Sequence, residues 1–75
     1  MSIAIIFSDG SQVRGVDATD ALSHLLGRFN PLTVELLRDK IAMRGNTINN
    51  PDWDDLQFLY AMDAANVFTI QPLPK

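Results

Sequence analysis

Three short stretches of this chain carry residue types that can do chemistry: Ser23-His24, the aspartates Asp52, Asp54 and Asp55, and Ser8-Asp9-Gly10-Ser11. His24 is the sole histidine and there is no cysteine. A zinc or other transition-metal site built on His24 therefore lacks companions, and thiolate sites, iron–sulfur clusters and thiol catalysis fall away together. As a general base His24 needs a nucleophile within reach and an acid to orient it. Its neighbour Ser23 does not qualify, because adjacent residues on a helix do not face each other. His24 reads as an exposed helical histidine.

The three aspartates have the makings of an acid/base pair or a magnesium site. Their place just ahead of an apolar helical run has a simpler cause, since carboxylates in a first turn complement the helix dipole. They also lack the internal glycine and closing glutamate of a calcium loop. Ser8-Asp9-Gly10-Ser11 has one glycine, no following lysine and no helix behind it, so it is a turn and not a phosphate loop. Neither the dinucleotide-binding glycine pattern nor a nucleophile elbow occurs. The expectation is a non-enzyme with no catalytic residues, no cofactor and no metal. A weaker alternative is a subunit of an enzyme complex that contributes His24 or Asp54.

At 75 residues the chain suffices for one compact domain, residues 1–75, with no linker or internal repeat. A domain of this size buries a modest core, and without cysteine no disulfide can help. Self-association is the natural remedy. No apolar run approaches the ~18 residues that a membrane span needs. The opening Met1–Phe7 run carries no positive charge and stops at Asp9-Gly10, too early for a secretion signal. A cytoplasmic location, with no membrane contact, is expected.

Nine acidic against six basic residues leave a formal charge of -3, which argues against generic nucleic-acid binding. The charges are nonetheless segregated. Arg14, Arg28, Arg38, Lys40 and Arg44 precede Asp52, Asp54, Asp55 and Asp63. Arg28, Arg38, Lys40 and Arg44 are the basic-patch candidates, and a nucleic-acid-associated regulator using the segment Arg28–Arg44 is the alternative reading. A helix-turn-helix pivoting on Phe29-Asn30-Pro31 is disfavoured. Its recognition helix would open with Leu32-Thr33-Val34-Glu35, the wrong charge for base contacts.

The elements that must position these residues follow from periodicity. Ile3 to Phe7 is a β-branched run apolar on both pleat faces, hence a central strand. Asp9-Gly10 predicts a type I′ hairpin turn, after which Gln12 to Val16 returns as a second strand. Gly15 there marks a bulge or a close packing contact. Asp17 caps a first helix whose Ala18, Ala21, Leu22, Leu25, Leu26 and Phe29 recur at helical spacing. Gly27 weakens its end, and Asn30-Pro31 stops it and opens the next. That second helix runs from about Pro31 to Met43, with Val34, Leu37 and Ile41 inward, Leu36 beside them and Gly45 as its terminal glycine. After an Asn-rich loop, Asn50-Pro51 starts a third helix reaching about Ala65, and Val67 to Gln71 closes as a strand. The fold class is α+β, ordered β-β-α-α-α-β. It has a three-stranded, mainly antiparallel sheet of spatial order 2-1-3 and three helices mainly on one face.

The third helix is apolar nearly all round. Trp53, Leu56, Tyr60 and Ala64 make one face, while Phe58, Met62 and Ala65 point the opposite way. Such a helix is buried or meets a partner. Trp53, Asp54, Asp55, Phe58, Tyr60 and Met62 are accordingly the partner-binding candidates, with the aspartates as a polar rim that steers a basic partner. The functional expectation is a small acidic protein-binding module that pairs with itself as a homodimer or contacts another protein. In size and style it is like phage- or plasmid-type accessory proteins that inhibit or modulate a host protein by direct contact.

Overall fold

The computed structural model describes residues 2–29 and 33–74, without the side chains of Phe29 and Val34. Within them β1 (Ile3–Ile6), β2 (Gln12–Gly15) and β3 (Thr69–Pro72) form one antiparallel sheet of order β2-β1-β3. Ile5 lies between Val13 and Ile70, and Ile3 pairs with Gly15 and Pro72. Ile3, Ile5 and Ile70 are buried on the helix side, where they join Ala21, Leu22, Leu25, Leu37, Ile41, Phe58, Leu59 and Met62 in a single core. The other sheet face alternates with it, as the two-residue period requires. There Ala4 sits between Arg14 and Gln71, and Ile6 between Gln12 and Thr69. This is the expected α+β arrangement, with the doubly apolar strand in the centre.

The hairpin turns differently from the expected type I′ geometry. Gly10 N–H donates to the Phe7 carbonyl at 3.0 Å, Phe7 N–H to Ser11 at 2.8 Å, and only Gly10 (φ 90°) takes positive φ in the turn. That is a three-residue loop with glycine in the left-handed position, the turn-plus-bulge solution. Asp9 selects it by staying right-handed and accepting from both the N–H (2.9 Å) and hydroxyl (2.6 Å) of Ser11. Gly15 proves to be a close contact, since a Cβ there would overlap the backbone nitrogen of Ala21.

The first predicted helix arrives as two pieces, α1 (Ala18–Ser23) and α2 (Leu26–Phe29). Asp17 caps α1 as expected, accepting from Asp20 N–H at 2.8 Å. At the break the Ser23 hydroxyl donates to the Asp20 carbonyl (2.7 Å), and Leu25 and Arg28 N–H groups reach back three residues, not four. A serine bonding back to its own helix bends it. Helix α3 (Val34–Arg44) is capped by Thr33, whose hydroxyl accepts from Leu36 N–H at 3.2 Å. The expected Asn30-Pro31 start lies outside the described residues, as does the inward position assigned to the Val34 side chain. Leu37 and Ile41 do point inward, whereas Leu36 is exposed.

Helix α4 (Asp55–Ala64) begins later than Asn50-Pro51 suggested. Asn50 to Trp53 is a turn instead, with Trp53 N–H on the Asn50 carbonyl (3.1 Å) and Asp52 N–H on Asn50 Oδ1 (2.9 Å). The helix waits for Asp54, which exchanges hydrogen bonds with Gln57 in a reciprocal capping box at 2.7 and 2.9 Å. Both long helices end alike. Thr47 and Asn46 N–H groups return to the Ala42 and Met43 carbonyls, and Val67 and Asn66 to Met62 and Asp63. The left-handed residue is therefore Asn46 (φ 53°) or Asn66 (φ 62°), not Gly45, whose φ is -86°. Gly45 serves packing, since a Cβ there would overlap Val67 Cγ2.

Two outcomes follow from these backbones. Gly15→Ala must move helix backbone, and is expected to cost at least ~3 kcal/mol, more than Gly45→Ala, which displaces a side chain. Asn46→Gly, in contrast, is expected to raise stability by a few tenths of a kcal/mol up to about 1. Urea unfolding of the three variants checks this order. The two hydrogen bonds from Ser11, hydroxyl first, hold the Asp9 carboxyl below its ordinary value, with Arg28 adding to them. A depressed carboxylate contributes stability above its unfolded pKa and loses it as pH falls through the folded one. An NMR titration of Asp9 should show a low midpoint, and Ser11→Ala should move it back toward the ordinary carboxylate value.

Candidate interaction surface

Which surfaces of this fold are open to a partner is decided first at the sheet edges, where unpaired strands recruit other chains. On β3, Asp63 Oδ2 accepts the Ile70 N–H at 2.8 Å, and Pro72 has no N–H to offer. On β2, His24 Nδ1 donates to the Arg14 carbonyl at 2.7 Å, and Asp20 Oδ2 takes the Val16 N–H at 3.0 Å. The carbonyl can only accept, so the bond assigns the His24 proton to Nδ1. The His24 Nε2 lies 3.6 Å from Asp20 Oδ1. His24 is thus exposed, as expected of it, and it clasps helix α1 to the strand edge. Each edge strand thus has one outward backbone group capped by a side chain from the helical segments, and β3 also ends on a proline.

Of the four basic-patch candidates Arg38 is turned into the fold, while Arg28 and Arg44 both lie near Phe7. Arg38 is 8% exposed, and its guanidinium lies 4.7 Å over the Phe58 ring. Its Nε donates to Asn49 Oδ1 (3.1 Å), its Nη2 to the Asn50 carbonyl (3.1 Å), and its Nη1 pairs with Asp55 at 3.5 Å. This cation is an internal tie between α3, the loop before α4, and α4 itself. Arg28 lies 4.3 Å over the Phe7 ring and donates to Ser11 Oγ at 2.8 Å, fastening the hairpin tip to α2. Arg44 lines a depression of about 320 Å³ that also takes in Phe7, Asn46, Asn66 and Phe68. Lys40 is exposed on α3.

Helix α4 resolves the two apolar faces seen in its sequence. Phe58 and Met62 are fully buried and belong to the core with Leu59. The opposite face, Leu56, Tyr60 and Ala64, looks outward, with Leu56 36% and Tyr60 42% exposed. Trp53 is half-buried at its start, packed on the core. Asp54 is exposed as the helix cap, and Asp55 is half-buried, accepting from Thr19 Oγ1 at 2.7 Å and facing Arg38. Of the six partner-binding candidates, then, Trp53, Asp54, Asp55 and Tyr60 reach the surface around one helix end and side. Leu56 belongs with them, and the spacing 53-56-60-64 was the signal for it. Other exposed apolar side chains are Val16, Leu36, Met43 and Ile48.

Beside Leu56 the surface dips between the starts of α1 and α4. This hollow, about 340 Å³, is lined by Asp17, Asp54, Asp55, Thr19, Ala18, Ile3 and Leu56. The same leucine lines the hollow and belongs to the outer helix face, so the acidic and apolar parts are continuous. Among the described residues no group of three or more His, Asp or Glu side chains is arranged to hold a metal ion. No described helix is long and apolar enough to cross a membrane.

Arg38 ties α3 to the start of α4 through three half-buried acceptors and the Phe58 ring, so truncating it leaves those acceptors unpaired. Arg38→Met is expected to cost about 3 kcal/mol, and Arg38→Lys to recover only part, because an ammonium cannot reproduce the fork. Chemical denaturation of both variants measures this. No family model matches the chain, and comparison with curated proteins and with solved structures likewise found none similar to it.

Proposed function

We propose that this chain is a non-enzymatic protein-binding module that works through the outer face of α4. One observation carries the reading: Leu56 and Tyr60 stand exposed one turn apart on a helix whose inner face already supplies Phe58, Leu59 and Met62 to the core. The helix therefore presents apolar surface that its own fold does not use. Tyrosine and tryptophan are enriched where proteins meet, because a large rigid ring buries area at little entropic cost. Trp53 and Tyr60 flank Leu56 at such a spot, and Asp54 and Asp55 give it a polar rim. The partial capping of the sheet edges favours docking on a helix over strand addition.

In this reading the domain acts in the cytoplasm by direct contact, as a small accessory protein that modulates or inhibits the protein it covers. The contacted protein is another chain or a second copy of this one. The test is the double substitution Leu56→Ser with Tyr60→Ser. Both side chains are partly exposed and outside the core cluster, so the double variant should lose some stability but still fold, as circular dichroism and thermal unfolding check. Association, followed by light scattering for self-pairing and by affinity capture for a partner, should be lost. Association that survives in the folded double variant would remove α4 from the reading.

A further inference from the structure

The occupant of this face can be specified further, on the basis of the reading just given. The hollow beside Leu56 holds three carboxylates, Asp17, Asp54 and Asp55. Asp17 and Asp54 each commit one oxygen, Oδ1, to the N–H groups of the helix they cap. Asp55 is shared between Thr19 and Arg38. Against these three negative charges stand two helix starts, each worth about half a positive charge, and the single guanidinium of Arg38 on the inner side of Asp55. About one negative charge is left over. That remainder opens directly onto Leu56, with Tyr60 one turn further along the same face.

We propose that the outer face of α4 receives a segment of another protein that carries an arginine or lysine next to an apolar side chain. The cation enters the hollow between Asp17 and Asp54, and the apolar neighbour covers Leu56 and Tyr60. Thr19 and the remaining carboxylate oxygens accept its N–H groups, and the long aliphatic stem of either residue type lies along Ala18 and Leu56. A neutral or acidic segment would bury the same apolar area and leave the surplus charge unanswered, so the site discriminates by charge.

The experiment uses random peptides displayed on phage, selected on the immobilised domain and counter-selected on the Leu56→Ser, Tyr60→Ser variant. Recovered peptides are then synthesised and titrated against the parent and against Asp17→Asn with Asp54→Asn. Asparagine caps a helix as well as aspartate does, so the latter variant keeps both caps and loses only charge. Recovered sequences are expected to place Lys or Arg beside an aliphatic or aromatic residue. Their binding should weaken about 10-fold in the asparagine variant and fall with added salt. Peptides that need Leu56 and Tyr60 but carry no basic residue, and bind both proteins equally, would overturn the charge inference while leaving the α4 face as a binding surface. Recovery of no peptide dependent on Leu56 and Tyr60 would overturn both. Self-association abolished by the serine substitutions would assign the face to a second copy, and so would also overturn it.

Discussion

The arrangement of the helices depends on one buried cation. Arg38 is taken out of water on the inner side of α3, a costly position for a guanidinium unless its donors are satisfied. The fold satisfies them with Asn49, the Asn50 carbonyl and Asp55, and lays the plane of the group over Phe58. Each of these partners belongs to the segment that leads into α4 or to α4 itself. The demand for partners therefore fixes where the Asn-rich loop runs and how the next helix starts. Phe58 lies in the core beneath this guanidinium, and Leu56 and Tyr60 lie on the opposite side of the helix.

The sheet imposes the second constraint. A three-stranded sheet has two edges, and a chain this small has few elements with which to cover them. Side chains do part of it instead: Asp63 on the Ile70 N–H, His24 on the Arg14 carbonyl, and Asp20 on the Val16 N–H just past β2. These residues looked like ordinary helical polar surface, yet each joins a helix to a strand. The glycines complete the joint. Gly15 lets α1 lie directly on β2, and Gly45 lets the end of α3 meet Val67 after α4. Close backbone approach here serves as a substitute for the large core that the chain lacks.

The acidic residues have a divided role. Asp17 and Asp54 start helices, as their positions suggested, and they still contribute to a local negative potential because capping uses only part of each carboxylate. Placing two such helix starts side by side, with Asp55 between them, turns routine capping into a recognition feature. Nothing in that arrangement requires the aspartates to react with anything. Their proximity to Leu56 gives the outer face of α4 a charged end and an apolar body.

Local rules, acting on neighbours in the chain, made much of this legible in the sequence: the strand apolar on both pleat faces that had to be central, the Asp17 cap, the 3.6-residue stripe of the first helical segment, and the two faces of α4. The order β2-β1-β3 followed because only β1 is apolar enough to be paired on both sides. What stayed hidden was settled by competition between local signals and, for Arg38, by groups far apart in sequence. Ser23 bent the first helix, Asp54 overruled Asn50-Pro51 through its exchange with Gln57, and Asn46 took the left-handed turn that Gly45 promised. The basic run at Arg38–Arg44 gave no sign that Arg38 turns inward, since its partners Asn49, Asn50 and Asp55 lie 11 to 17 positions away. Periodicity divides a helix into faces, but it carries no information about which face meets the core. For α4 that choice fell to packing: Phe58, Leu59 and Met62 join the core with Ile3, Ile5 and Ile70, and Leu56 and Tyr60 are left outside.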